Sequence, residues 1–313
     1  MKIWKWLTAF ISYVSAMHAV DSEYLQFRFP QYNWIEASQY APGEFASVRG
    51  FADYIGPAYF ENSPLKNQSL SYFQTDAYLG QGFVFNEYEA AIFELGYSWT
   101  HLGWKENPYF LQDDFHFVNL LFNGSTSRIE DWYWRVNASL NFDRNSFNLT
   151  ENSLYGLTLW GRYDLCDSIL PGFGLNIGFV GRTGIDQTLL CPILGIDFEL
   201  RDNIKLNLVY PVDISAIYTI NENWSLALAG KFWDFRHRIT KNDNLPRGIV
   251  DYKNKGAEFA INYDCTENFT ANVHVGTTFK NADIKITDKY DREVADNKFK
   301  GVGYLGGGLS FKF

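Results

Sequence analysis

Hydrophobic and polar positions alternate with a period of two along most of the chain. In the run Trp132-Tyr133-Trp134-Arg135-Val136-Asn137-Ala138-Ser139-Leu140-Asn141-Phe142, one set of alternate positions holds Trp132, Trp134, Val136, Ala138, Leu140 and Phe142. The other set holds Tyr133, Arg135, Asn137, Ser139 and Asn141. A helix, with 3.6 residues per turn, would scatter both sets around its circumference, whereas a strand sorts them onto two faces. The sorting returns at Phe173, Leu175, Ile177 and Phe179, at Ile204, Leu206, Leu208 and Tyr210, and at Phe269, Ala271, Val273 and Val275. Beyond residue 22 there is neither an amphipathic helical pattern nor a long apolar run.

The alternation predicts strands over 44–56, 69–85, 88–102, 112–122, 129–142, 152–165, 172–183, 189–200, 203–210, 212–220, 223–238, 252–265, 267–284 and 299–313. Long polar loops fall at 57–68, 103–111, 143–151, 239–251 and 285–298, and all emerge on one side if strands alternate in direction. The short turns at 85–88, 201–203, 221–223 and 266–267 emerge on the other. This asymmetry, with an even count, predicts an all-β fold: a transmembrane antiparallel up-and-down β-barrel of fourteen strands over 44–313. Pro211 sits between two short strands, and losing that pair would leave twelve. Residues 20–43 are broken by Pro30 and Pro42 and are expected to form a periplasmic extension, a plug or one more strand.

Composition sharpens the class. Twenty-seven Phe, 20 Tyr and 10 Trp make the chain 18% aromatic, as expected of rings that sit at both membrane–water boundaries. The mean hydropathy of −0.23 is no objection, because a barrel strand shows lipid only every second residue. Lys2 and Lys5 flank an apolar run from Trp6 to Val14, and small residues follow up to Ala19. That is the pattern of a secretory signal over residues 1–19, and the run is shorter than the ~20 apolar residues a spanning helix needs. Cys166, Cys191 and Cys265 are widely spaced with no CxxC pair, which argues against a zinc site and leaves any disulfide pairing open.

The chain ends Gly306-Gly307-Gly308-Leu309-Ser310-Phe311-Lys312-Phe313. The terminal Phe313, with Phe311 and Leu309 at two-residue steps and Gly308 before them, resembles the assembly signal on the last strand of bacterial outer-membrane β-barrel proteins. The polar position that usually precedes the glycine by two residues is Gly306 here. The resemblance implies an outer-membrane location, lipid contact around the barrel and recognition of the last strand by the barrel-assembly machinery through edge pairing.

For chemistry, alternation turns Arg135, Arg162, Arg182, Lys205, Lys231, Glu94 and Glu258 towards the lumen. Segregated across a pore, such charges would select polar solutes; paired between neighbouring strands, they would only fill the barrel. The expected function is a porin-like channel for small polar solutes. The rivals are a plugged transporter for an apolar solute, favoured by Tyr78, Tyr133, Trp160 and Trp233, a structural or adhesive surface barrel, and a barrel lipid hydrolase. For the last, His274 would need Ser310 close by. His237 is expected at a strand's outer end, touching solvent or lipid phosphate. Asp113, Asp114 and His116 are expected to be solvated rather than to bind metal, and no catalytic residue, cofactor or nucleic-acid site is expected.

Overall fold

The computed structural model describes residue 37 and residues 42–61, 65–144, 148–165, 172–266, 268–280 and 282–313. The proposed signal peptide and nearly all of the 20–43 extension lie outside the described residues, as does Cys166. Sixteen strands run β1 (Gly43–Tyr59), β2 (Ser69–Asn86), β3 (Glu89–Trp104), β4 (Asp114–Thr126), β5 (Trp132–Asp143), β6 (Ser153–Asp164), β7 (Gly174–Gly184) and β8 (Gln187–Arg201). They continue with β9 (Ile204–Tyr210), β10 (Asp213–Thr219), β11 (Trp224–Arg238), β12 (Ile249–Thr266), β13 (Phe269–Thr278), β14 (Ala282–Thr287), β15 (Glu293–Phe299) and β16 (Gly303–Lys312).

Each strand from β1 to β13 pairs antiparallel with its neighbour, and β16 joins β13 to β1, so fourteen strands close the ring. Closure pairs the wall strands on both sides over most of their length, which is what allows them to cross a bilayer, while the ends of β8 before Leu194 and of β11 beyond Ala229 lack a wall neighbour on one side. The outward positions form an apolar belt, with Leu79, Leu190 and Val273 all more than 60% exposed. Pro211 does not cost a pair of strands: it sits in the tight turn between β9 and β10, after a cis Tyr210–Pro211 bond.

The strand expected over 267–284 ends instead at Thr278, and the expected loop 285–298 is largely built into a hairpin, β14–β15. This hairpin pairs with the start of β12, from Ile249↔Thr287 to Lys253↔Asp283. Short strands β9 and β10 cover only the lower part of β11, with Ala229 the last residue paired on that side. Above it, Trp233–Arg238 is buried on both faces. One face puts Phe235 5.0 Å from Phe115, and His237 4.7 Å from Phe117. The other puts Asp234 on Arg182, whose strand β7 turns it towards the lumen. A strand whose two faces meet opposite inner walls has left the wall, so the upper parts of β11 and β12 form with β14 and β15 a small sheet folded into the end of the barrel from which the long loops emerge.

The pattern on this sheet explains its position. Its inner face is apolar, with Phe235, Tyr252 and Ile284 in one cross-strand row and Val250 and Ile286 in the next. These pack with Ile55, Tyr72, Leu102 and Phe115 into the main hydrophobic core of the molecule. Its outer face carries alternating charges in rows: Arg236, Asp251, Lys285, Asp296, and beside it Asp234, Lys253, Asp283, Lys298. Each charge thus has an opposite one across the strand, an arrangement that stabilises sheet pairing.

Candidate functional site: the lumen

The inner face of β1–β8 supplies the candidate site. Arg49 donates two hydrogen bonds to Glu94, at 2.7 and 2.8 Å, and its guanidinium lies 4.2 Å from the centre of the Tyr78 ring. Asn123 also donates to Glu94, at 3.2 Å, and Asn137 donates to Asn123 at 2.6 Å. A parallel relay ends on Asp76, which accepts from Ser98 and from Gln74, while Asn119 donates to Ser98 and Tyr72 to Gln74. On the next strands Arg162 holds Asp197 at 2.8 Å, and Asp197 also accepts from Asn176.

A second cluster lies where β11 leaves the wall. His274 Nε2 and Lys231 Nζ stand 2.7 and 2.9 Å from Asp53 Oδ1. Lys231 also lies 3.5 Å from Glu258, which accepts a hydrogen bond from Tyr304. Asp53 and His274 sit on β1 and β13, with Gly306 of β16 between them in register. A Cβ at Gly306 would collide with both side chains, so glycine lets two residues touch across an intervening strand. The ordinary polar residue at this point of the terminal strand signal has no room here.

All seven charged residues assigned to the lumen by alternation can now be placed. Glu94, Arg162, Arg182, Lys231 and Glu258 sit in ion pairs with Arg49, Asp197, Asp234, Asp53 and Lys231 respectively. Arg135 lies between two rings, 4.6 Å from Tyr133 and 4.8 Å from Trp160. Lys205 shares the face of buried Asn207 and Val209 but is itself exposed near the short-turn end of the barrel. Five of the seven are thus held by an opposite charge, some of them from a strand that is not a neighbour in the wall. Sequence spacing could not show this, because Arg49, Asp53, Asp197 and Asp234 become partners only through register and the inward fold.

Two expectations need correction. His237 does not reach solvent or lipid: it is 1% exposed, wedged among Phe115, Phe117 and Phe235, with Nδ1 donating to the Arg238 carbonyl. Ser310 is not beside His274, because Gly306 occupies that register position and Ser310 faces Thr270. Of the loop cluster, Asp114 accepts from Trp99 and contacts His101 at 3.0 Å, while His116 meets Tyr97. Among the described residues no group of His, Cys, Asp and Glu has the arrangement of a metal site, and Cys191 and Cys265 are free thiols. In the terminal strand, Leu309, Phe311 and Phe313 face outwards and exposed, and Gly308 packs under Phe51.

A solved structure with the same architecture is the COG4313 outer membrane channel from Pseudomonas putida F1, similar over 90% of this chain and 100% of that one, with a TM-score of 0.50 and 9% identity. The fold is that of a bacterial outer-membrane β-barrel. In sequence, the chain is 23% identical over 274 residues to an uncharacterized protein of Chlamydia pneumoniae, covering 83% of this chain and 84% of that protein. It is 24% identical over 264 residues to an uncharacterized protein of Chlamydia muridarum, covering 80% and 82%. No family model matches the chain.

Proposed function

We propose that this outer-membrane barrel is a channel for small polar solutes, closed at its external end by the sheet of β11, β12, β14 and β15. The observation that carries the reading is the continuous polar inner face of β2–β7 beneath that sheet: Asp76, Ser98, Asn119, Asn123, Asn137, Thr158 and Asn176. A polar interior is what a water-filled barrel needs, and the unfilled space beside these residues supports a path for solutes. The naming of the Pseudomonas putida protein as a channel points the same way. An apolar cargo suits this interior less well, because guanidinium groups already cover the Tyr78, Tyr133 and Trp160 rings. Assembly through the last strand, by edge pairing at Leu309, Phe311 and Phe313, belongs to the same proposal.

The test is conductance of the refolded protein in planar bilayers, with and without residues 282–299 replaced by a short Gly-Ser turn. The intact barrel should give small or intermittent conductance, and the trimmed one sustained steps. A trimmed barrel that is folded, by its heat-modifiable migration, yet stays silent would overturn the channel reading.

A further inference from the structure

A cavity of about 360 Å³ lies at the long-loop end of the barrel, between the β7–β8 turn and the charged face of the inserted sheet. This is within the size range of small-molecule sites. Asp186 and Lys285, each about half exposed, stand where it meets solvent. Its charged lining is balanced, with Asp186, Asp251 and Asp291 against Arg236, Lys253 and Lys285.

Two buried oxygens in this lining have no partner. Asp251 is 4% exposed, and Arg236 donates to its Oδ2 at 2.6 Å, while Oδ1 meets no donor. Thr287 is 5% exposed, and its hydroxyl is likewise unpartnered. Both line the cavity from the same face of the sheet, diagonal to one another, because Asp251 pairs with Lys285 and Ile249 with Thr287.

The lysines are held loosely as well. Lys285 stands directly opposite Asp251 across β12 and β14, a position from which opposite charges ordinarily join. Yet its Nζ reaches Glu293 instead, at 3.6 Å. Lys253 Nζ lies 3.6 Å from Asp251 Oδ2. Both distances are beyond hydrogen-bond range. A carboxylate oxygen and an ammonium group thus face one cavity from paired positions, and neither satisfies the other.

A ligand that carries the same two groups reversed complements such a pair. A cation alone would meet Lys253 and Lys285, and an anion alone would meet Asp251 and Asp291. An uncharged ligand would leave the lysines without a counter-charge. In an α-amino acid, ammonium and carboxylate are one carbon apart, which suits partners on paired strand positions about 5 Å apart at Cβ. Leu189 and Ile249 give the cavity an apolar side for an aliphatic side chain. We infer that this cavity binds a small zwitterion of the α-amino acid class, with its ammonium on Asp251 Oδ1 and Thr287 Oγ1 and its carboxylate on Lys285. The inference rests on the channel reading for the solute's route inward, but the binding itself does not depend on conduction.

The test is saturation-transfer NMR on the refolded full-length protein in a nonionic detergent, with alanine, alaninamide and N-acetylalanine as separate probes. Alanine should receive saturation. Alaninamide lacks the carboxylate and N-acetylalanine the ammonium, so each should bind at least about tenfold more weakly. Lys285→Ala, at a half-exposed position, should weaken alanine roughly tenfold and leave alaninamide unchanged. Thr287→Val should weaken alanine about threefold. Replacing residues 282–299 removes Lys285 and Thr287, so the trimmed barrel should conduct yet no longer bind alanine. The inference is overturned if the folded protein does not bind alanine, if either single-charge probe binds as well, or if both variants or the trimmed barrel bind alanine like the parent. Silence in the bilayer experiment together with alanine binding would remove the channel reading and leave this one standing; conduction without alanine binding would do the reverse.

Discussion

β5 and the upper part of β11 are built from similar residues and meet different surroundings. In β5, alternate side chains face lipid or lumen, and the strand reads as a clean period of two from Trp132 to Phe142. In β11 the same period holds, yet Trp233, Asp234, Phe235, Arg236, His237 and Arg238 are all buried. In the wall the apolar face looks outward at lipid. In the inserted sheet it looks inward at the core, and the charged face meets β7 and the β7–β8 turn, where Arg236 donates to the Ile185 carbonyl. Alternation therefore reports that a strand has two different faces, and not which surroundings each face finds.

The widest separation of the two regions should come from unpairing a buried charge. Asp251→Ala leaves Arg236 buried, which should cost the inserted sheet about 3–5 kcal/mol. Hydrogen exchange should then rise in β12 and β14 while β5 and β6 stay protected. Equal loosening of both would mean that the sheet is not an independent unit. Next, Phe235→Ala should cost about 3 kcal/mol by opening a cavity in the core, whereas Leu79→Ala on the lipid face should cost clearly less in urea unfolding, since lipid fills the space.

A smaller effect should appear with pH. Burial, with Asp251 and Asp296 nearby, pushes the Asp283 carboxyl up to about 6, against the help of Lys253 and Lys298. Its folded value exceeds its unfolded one, so the ionised form opposes folding above pH 6 and the handicap fades as pH falls towards 4. The inserted sheet should thus be better protected at pH 5 than at pH 7.5 once exchange is divided by the intrinsic amide rate at each pH, and Asp283→Asn should flatten that difference. If Asp283→Asn keeps the full pH dependence, another group carries it. Smallest of all, Arg128→Ala breaks an exposed pair with Glu89 at the short-turn rim and should change stability by under about 1 kcal/mol.

Most of the barrel was legible before any coordinates. The fourteen wall strands follow from a period of two, because a bilayer forces each wall strand to present lipid and lumen alternately. The β14–β15 hairpin was hidden in 285–298, where Glu293, Asp296 and Lys298 look like a hydrated loop. Their charges mark the outer face of a sheet, and only pairing with β12 reveals it. His237 was misplaced for a related reason: position at a strand's outer end implies solvent only if the strand stays in the wall.

The sequence by itself determined the class of fold, the number of wall strands and which side chains share a face, since these depend on neighbours two residues apart. Tertiary structure decided what those faces meet. The ion pairs Arg49–Glu94 and Lys231–Asp53, the contact that Gly306 allows between Asp53 and His274, and the folding of β11 into the lumen join residues from 45 to more than 200 positions apart. Such contacts are fixed by the register and closure of the ring and by burial of one apolar core, and no local pattern encodes them.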